Sequence, residues 1–124
     1  MDKKLILLIE DDKAICCSLA QIIQKWGFNT ILTYDGKDGL TKVKEQKPDL
    51  VILDLTLPKL PGKEVCRQIR NDDATHAIPI IMQTGKTSDA DRIIGRVIGA
   101  DCYLTKPYDL NELLRQINKL TGGN

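Results

Sequence analysis

The sequence predicts an α/β domain with a doubly wound, five-stranded parallel sheet, and three observations carry that prediction. Short apolar runs alternate with amphipathic stretches of helical period five times along the 124-residue chain. The runs Leu5–Ile9 and Leu50–Leu53 are apolar throughout, which is typical of parallel strands covered on both faces. Regular alternation of strands and helices is typical of this architecture. With no linker or repeat, residues 1–124 are expected to form one domain.

The first half of the chain contains three predicted strands, Leu5–Ile9, Thr30–Tyr34 and Leu50–Asp54. After the first strand, apolar residues recur on one helical face at Ile15, Leu19, Ile22, Ile23 and Trp26, and Gly27 is a stop signal. Asp35 is expected to cap a second helix that ends near residue 46.

The second half contains two more strands and three helices. Residues 58–62 form a predicted turn, a short helix ends near residue 71, and a fourth strand covers Ile78–Thr84. Ser88 is expected to cap a helix through Ile98, and a short fifth strand includes Tyr103–Leu104. Asp109 should cap the last helix, whose apolar stripe comprises Leu110, Leu113, Leu114, Ile117 and Leu120.

Charge and hydropathy argue against several classes of protein. The formal net charge is +1, which supplies no strong attraction for nucleic acid or anionic lipid. The apolar runs of about five residues are far shorter than the ~20 that cross a bilayer. Lys3 and Lys4 lead directly into the first strand, which is unlike a secretory leader. We therefore expect a cytoplasmic protein without direct nucleic-acid binding or membrane insertion.

The four cysteines lack the spacing of a metal or redox site. Cys16, Cys17, Cys66 and Cys102 form no Cys-x-x-Cys pair, and His76 has no cysteine near it in sequence. We interpret all four as buried, reduced thiols.

Chemistry-bearing residues follow four of the predicted strands. In an open parallel sheet, ligands bind beyond the carboxyl ends of the strands. Those ends carry carboxylates, a hydroxyl and a lysine, namely Glu10, Asp11, Asp12, Asp54, Thr84 and Lys106. Taken singly, an acidic pair after a strand is often a helix cap, and a strand-end lysine is often a surface residue. Their convergence from four strands favours a functional site.

The residue types at this rim suit phosphoryl chemistry. Clustered carboxylates repel one another unless a cation intervenes. An all-oxygen set without His or Cys suits a hard divalent ion such as Mg²⁺. A metal beside a hydroxyl and an ammonium can accommodate a phosphoryl group, and a carboxylate can be the nucleophile that forms an aspartyl phosphate.

A resemblance to a known family rests on four segments, LLIEDD (7–12), PDLVILDLTLP (48–58), PIIMQTG (79–85) and GADCYLTKPY (99–108). In this order they resemble receiver domains of two-component response regulators, over residues 4 to about 120. The chain is similar to the stand-alone chemotaxis-type and cell-cycle members. The resemblance implies a flavodoxin-like strand order, 2-1-3-4-5, with five helices.

The resemblance also implies roles for single residues. Asp54 matches the phosphoacceptor. Glu10, Asp11, Asp54 and the backbone carbonyl of Thr56 match the protein ligands of Mg²⁺, for which Mn²⁺ can substitute. Asp11 is the expected direct ligand, whereas Glu10 is expected to act through water.

Further matches concern phosphoryl binding and switching. Thr84 and Lys106 match the residues that contact the phosphoryl group, and Tyr103 matches an aromatic residue that changes rotamer together with Thr84. The Lys106–Pro107 bond is cis in the family. Gly85 stands where a small residue lets the phosphodonor approach.

Three positions depart from the family's commoner residues, but none removes a catalytic group. Glu10 stands where Asp is commoner, Pro61 where an acidic residue often precedes the glycine, and Gly85 where Ala is frequent.

Two other classes use a related fold or nucleophile. A haloacid-dehalogenase-like phosphatase needs a second Asp two residues after the acceptor, where this chain has Thr56. A flavodoxin-like electron carrier needs a loop that holds a phosphate after the first strand, where this chain has Glu10–Asp12. Both patterns are less well matched than the receiver.

The expected function is therefore a phosphorylation-dependent switch, not an enzyme in its output. A sensor histidine kinase or a histidine phosphotransfer protein would donate the phosphoryl group to Asp54. The expected receiver of the signal is a downstream protein or a fused output domain on the face of the last two helices. A phosphorylation-dependent dimer is a further expectation.

Overall fold

A single five-stranded parallel sheet organises the molecule. The computed structural model describes residues 3–85 and 99–123. The strands are β1 (Leu5–Ile9), β2 (Asn29–Thr33), β3 (Leu50–Asp54), β4 (Ile80–Thr84) and β5 (Cys102–Thr105). Their order is β2-β1-β3-β4-β5, and every neighbouring pair is parallel. The predicted fold class and strand order are confirmed.

Four helices lie within the described residues, namely α1 (Lys13–Lys25), α2 (Gly36–Gln46), α3 (Gly62–Arg70) and α4 (Leu110–Thr121). The helix predicted from Ser88 to Ile98 falls outside the described residues.

Two apolar layers cover the sheet, one on each face. The first core layer packs strand residues such as Ile6, Ile52 and Ile81 against α1 and α4. In the second core layer, strand residues such as Leu7, Leu53 and Met82 pack against α2 and α3. Successive strand residues alternate between these layers because successive side chains of a strand point to opposite faces.

Aspartates begin three of the helices. Oδ1 of Asp12 accepts a hydrogen bond from the Ile15 amide at 3.1 Å, and Asp35 does the same for Asp38 at 2.7 Å. Asp109 accepts from the Asn111 amide at 2.8 Å. These bonds satisfy amides that the first helical turn leaves without partners. Asp12, although part of the acidic triplet after β1, therefore has a structural role as a cap.

The apolar faces predicted for two helices are partly wrong at their edges. Ile15 is 46% exposed and Leu110 is 43% exposed. Both residues lie in the first turn of a helix. Hydrophobic period identifies the buried arc of a helix but not how far the neighbouring elements cover it.

The prediction of four buried thiols is also partly wrong. All four cysteines are free, but Cys17 is exposed and Cys102 is only half-buried. Cys17 follows the buried Cys16 and so lies about 100° further around the helix. Burial raises the pKa of Cys16 and of Cys66 to about 11, so both thiols stay protonated at neutral pH.

Strand β4 begins two residues later than predicted. The amide of Ile78 donates to the Thr75 carbonyl at 3.0 Å, and its carbonyl accepts from Arg70 Nη1 at 2.6 Å. Ile78 therefore belongs to a turn rather than to the ladder. At β2 the difference is one residue, because the Asn29 amide already bonds the Lys4 carbonyl at 2.9 Å.

Candidate functional site

The carboxyl ends of the strands bring the expected residues to one rim. Glu10 follows β1, Asp54 ends β3, Thr84 ends β4 and Lys106 follows β5. Glu10, Asp54 and Thr84 are buried, whereas Asp11 is exposed. The parallel register places these residues together because all strands end at the same edge.

Lys106 bridges two carboxylates of the rim. Its Nζ donates to Oε1 of Glu10 at 2.7 Å and to Oδ2 of Asp54 at 3.1 Å. The Lys106 backbone amide donates to the Thr84 carbonyl at 2.6 Å, so the residue is held at both ends. Burial alone would lower the pKa of Lys106, but the two carboxylate bonds outweigh it and raise that pKa. The ammonium is therefore charged at neutral pH.

The second oxygen of Asp54 is held by the chain that follows β3. Oδ1 accepts from the Thr56 amide at 3.1 Å, so Lys106 and Thr56 fix the two oxygens separately. Gly62 lies against the same strand end, where a Cβ would stand 2.1 Å from the Asp54 carbonyl oxygen. Only glycine allows this approach, and its amide donates to the Leu55 carbonyl at 3.0 Å.

Three carboxylates form a candidate cation site. Glu10, Asp11 and Asp54 each offer an oxygen, and these oxygens lie within 4.8 Å of one another. Desolvation at the rim, followed by the hydrogen bond and the charge of Glu10, raises the pKa of Asp11. A raised carboxyl pKa means that the surroundings disfavour the ionised form, which a bound cation would stabilise. All the ligand atoms of this site are oxygens, and one of the three residues is exposed to solvent. This arrangement fits a hydrated Mg²⁺.

The remaining expected residues surround the rim. Thr84 is buried at the end of β4, and a Cβ on the adjacent Gly85 would meet no atom of the described residues within 4 Å. Tyr103 of β5 is half-buried, packs against the second core layer, and pairs in register with Met82. The Lys106–Pro107 peptide bond is cis.

Sequence reasoning missed three residues beside the rim. Gly62 was assigned only to a turn, and its close approach to Asp54 depends on the folded chain. Gln83 precedes Thr84 and accepts a hydrogen bond from Tyr108 Oη at 2.6 Å. The available signal was a polar residue in an otherwise apolar strand, since a buried amide needs a partner.

A comparison with protein families identifies the family to which the chain belongs. Residues 6–118 match the family model of the response regulator receiver domain. The chain belongs to the response regulator receiver domains. The predicted resemblance is thereby confirmed, and with it the phosphoacceptor role of the domain in two-component systems.

Individual relatives agree with this assignment. The chain is 38% identical over 120 residues to the alkaline phosphatase synthesis transcriptional regulatory protein PhoP of Bacillus subtilis (strain 168). The match covers 97% of this chain and 49% of that protein, so the chain spans about half the length of this curated relative.

Solved receiver structures share the whole fold. A response regulator receiver domain protein from Methanospirillum hungatei JF-1 superposes with a TM-score of 0.90 at 28% identity, covering 98% of this chain and 95% of that one. The receiver domain of sensor histidine kinase PA1611 from Pseudomonas aeruginosa PAO1 has a TM-score of 0.90 at 28% identity, covering 98% and 100%. That structure has a magnesium ion coordinated in its active-site cleft.

Membership of the family establishes the general chemistry of the receiver. Receiver domains bind Mg²⁺ at their acidic site and interact with histidine kinases or phosphotransfer proteins. Within residues 3–85 and 99–123, no helix is both long and apolar enough to cross a membrane.

Proposed function

We propose that Asp54 is the phosphoacceptor of this receiver and that phosphorylation switches a partner-binding surface. One observation carries the assignment. Asp54 is a buried carboxylate at the end of the central strand, bonded to the Lys106 ammonium at 3.1 Å and grouped with Glu10 and Asp11. Within the described residues, no other three His, Cys, Asp or Glu side chains bring their ligand atoms within 4.8 Å of one another.

The proposed metal ligands are Glu10, Asp11, Asp54 and the backbone carbonyl of Thr56. Asp11 supplies the most accessible carboxylate, while Glu10 is already paired with Lys106 and is assigned a water-mediated role. A bound Mg²⁺ would neutralise negative charge on the phosphoryl oxygens. Mn²⁺ should replace it, because both ions prefer oxygen ligands in octahedral geometry.

The chain's own residues have distinct parts in the transfer. An oxygen of Asp54 forms a bond to phosphorus while the bond from phosphorus to the donor breaks, and the leaving group takes up a proton. Lys106 neutralises charge on the transferred group. The Thr84 hydroxyl donates to a phosphoryl oxygen, and Gly85, which has no side chain, lets the donor approach.

The proposed output follows from the position of Thr84 between the rim and β5. A phosphoryl group adds about two negative charges, which attract the Thr84 hydroxyl and free space for the Tyr103 ring. The surface that β5 and α4 form then changes. A downstream protein, a fused output domain or a second copy of the chain would bind this surface. The domain is a single cytoplasmic unit whose output is binding, not turnover of a substrate.

Phosphorylation by a small donor tests the proposal. Acetyl phosphate with Mg²⁺ should add one phosphoryl group to the wild type and none to Asp54→Asn, as measured by intact-protein mass spectrometry. Asp12→Asn is the matched control, because it alters a carboxylate of the same rim and Asn still caps a helix. Undiminished labelling of Asp54→Asn would refute the assignment.

A further inference from the structure

A second tyrosine contacts β4 beside the rim, on the face opposite Tyr103. Tyr108 Oη donates to Oε1 of Gln83 at 2.6 Å. Gln83 is 1% exposed. It lies two residues after Ile81 in the same strand, so its side chain is on the same face of the sheet as Ile81, which belongs to the first core layer. Tyr108 packs against that same layer, whereas Tyr103 packs against the second.

The Tyr108 bond closes a short clamp around Lys106. Two residues before Tyr108, the Lys106 amide donates to the Thr84 carbonyl at 2.6 Å. The segment 106–108 is therefore fastened to two consecutive residues of β4, once through the backbone and once through a side chain. Between these fastenings, the Lys106 side chain extends to Glu10 and Asp54.

The Gln83 end of the clamp lies in the protein interior. A hydrogen bond shielded from water is stronger than an exposed one, and losing one partner leaves the other polar group unsatisfied. The Gln83 amide cannot turn to solvent, since it is 1% exposed. The Tyr108 hydroxyl is accordingly a specific anchor, which a phenylalanine ring of nearly the same shape would lack.

We propose that Tyr108 is a positioning residue for phosphoryl transfer, which acts by holding the segment that places the Lys106 ammonium on Asp54. The inference rests on the proposed function of Asp54. Without the hydroxyl, the segment moves relative to β4 and the ammonium occupies its place beside the acceptor for less of the time. Neither Tyr108 nor Gln83 is a proposed metal ligand, so Mg²⁺ should still bind when their bond is removed.

The test combines Tyr108→Phe, Gln83→Leu and the double variant. With saturating Mg²⁺ and phosphoramidate as donor, each single variant should lower the maximal phosphorylation rate about 3- to 10-fold, as expected when a catalytic group is imperfectly positioned. The double variant should be no slower than the slower single variant, because both changes remove one bond. Tyr34→Phe, which deletes a hydroxyl from another half-buried tyrosine on the first core layer, should keep the wild-type rate.

Two readouts separate positioning from general destabilisation. Amide hydrogen exchange at Lys106 should accelerate at least several-fold in Tyr108→Phe, whereas exchange in β1 should match the wild type. A wild-type rate in Tyr108→Phe, or single-variant losses that multiply in the double variant, would overturn the proposal. A wild type that takes up no phosphoryl group would instead refute the role of Asp54, so the two failures are distinguishable.

Discussion

At the scale of the residue, the rim balances one ammonium against three carboxylates. Lys106 pairs with Glu10 and Asp54, while Asp11 is the exposed carboxylate of the candidate cation site. The buried Glu10 depends on this pairing, since an uncompensated buried charge is costly. The pKa of Asp11 is raised first by desolvation and then by Glu10.

Replacing Asp11 should therefore stabilise the metal-free protein and abolish its response to metal. Because the folded-state pKa lies above the ordinary 3.8, the wild type loses stability as the pH rises through that raised value. At pH 7 without metal, Asp11→Ala should be more stable by up to about 1 kcal/mol after solvent screening. Urea unfolding at pH 7 and at pH about 3, below the ordinary pKa, measures this difference, which should vanish at the lower pH.

The metal response provides the second half of that prediction. Mg²⁺ at a hundredfold excess over its dissociation constant should stabilise the wild type by about 2.7 kcal/mol. Asp11→Ala should show no such increase in unfolding free energy. A full Mg²⁺-induced increase in the variant would show that Asp11 is not the main ligand.

At the scale of the element, β4 connects the rim to both faces of the sheet. Thr84 ends the strand at the rim, Gln83 bonds Tyr108 on one face, and Met82 pairs in register with Tyr103 of β5 on the other. The beginning of β4 is held separately, by Arg70 of α3. Contacts at the beginning of β4 therefore stabilise the fold, whereas residues at its end belong to the candidate functional site.

Removing the Thr84 hydroxyl should uncouple the rim from Tyr103. Beryllofluoride with Mg²⁺, which mimics the phosphoryl group, should shift amide NMR signals of residues 84–85 and 99–106 more than those of α2. In Thr84→Ala, Asp54 should still be phosphorylated while the Tyr103 signals keep their unphosphorylated positions. A full Tyr103 response in this variant would reduce that ring to a packing role.

Arg70 should be a major stabilising residue at the opposite end of β4. Its guanidinium donates to the carbonyls of Gly99 and Ile78 at 2.8 and 2.6 Å and to Asp101 at 2.8 Å. Arg70→Met removes these hydrogen bonds and should lower the unfolding free energy by about 2 kcal/mol. Arg67→Met, on the same helix, removes only an exposed ion pair and should cost less than about 0.5 kcal/mol. Equal losses in urea unfolding would contradict this account.

At the scale of the whole molecule, the sequence predicts the order of strands and helices better than it predicts the contacts between side chains. Apolar strands and aspartate caps such as Asp35 are local signals, and the convergence of strand ends follows from parallel topology. The exposure of Ile15 and Leu110 depends on how far neighbouring elements extend, which no periodic pattern contains. The Gln83–Tyr108 bond joins residues 25 positions apart, so only the folded sheet brings them together.

Chemical trapping of the phosphorylated residue tests the central claim most directly. Borohydride reduces an aspartyl phosphate to homoserine, which marks the acceptor permanently. After treatment with acetyl phosphate and Mg²⁺, peptide mass spectrometry should find homoserine at position 54 and at no other aspartate of the rim. Homoserine at position 11 or 12 instead, or its absence from a protein incubated with donor and metal, would contradict the assignment of Asp54 as the phosphoacceptor.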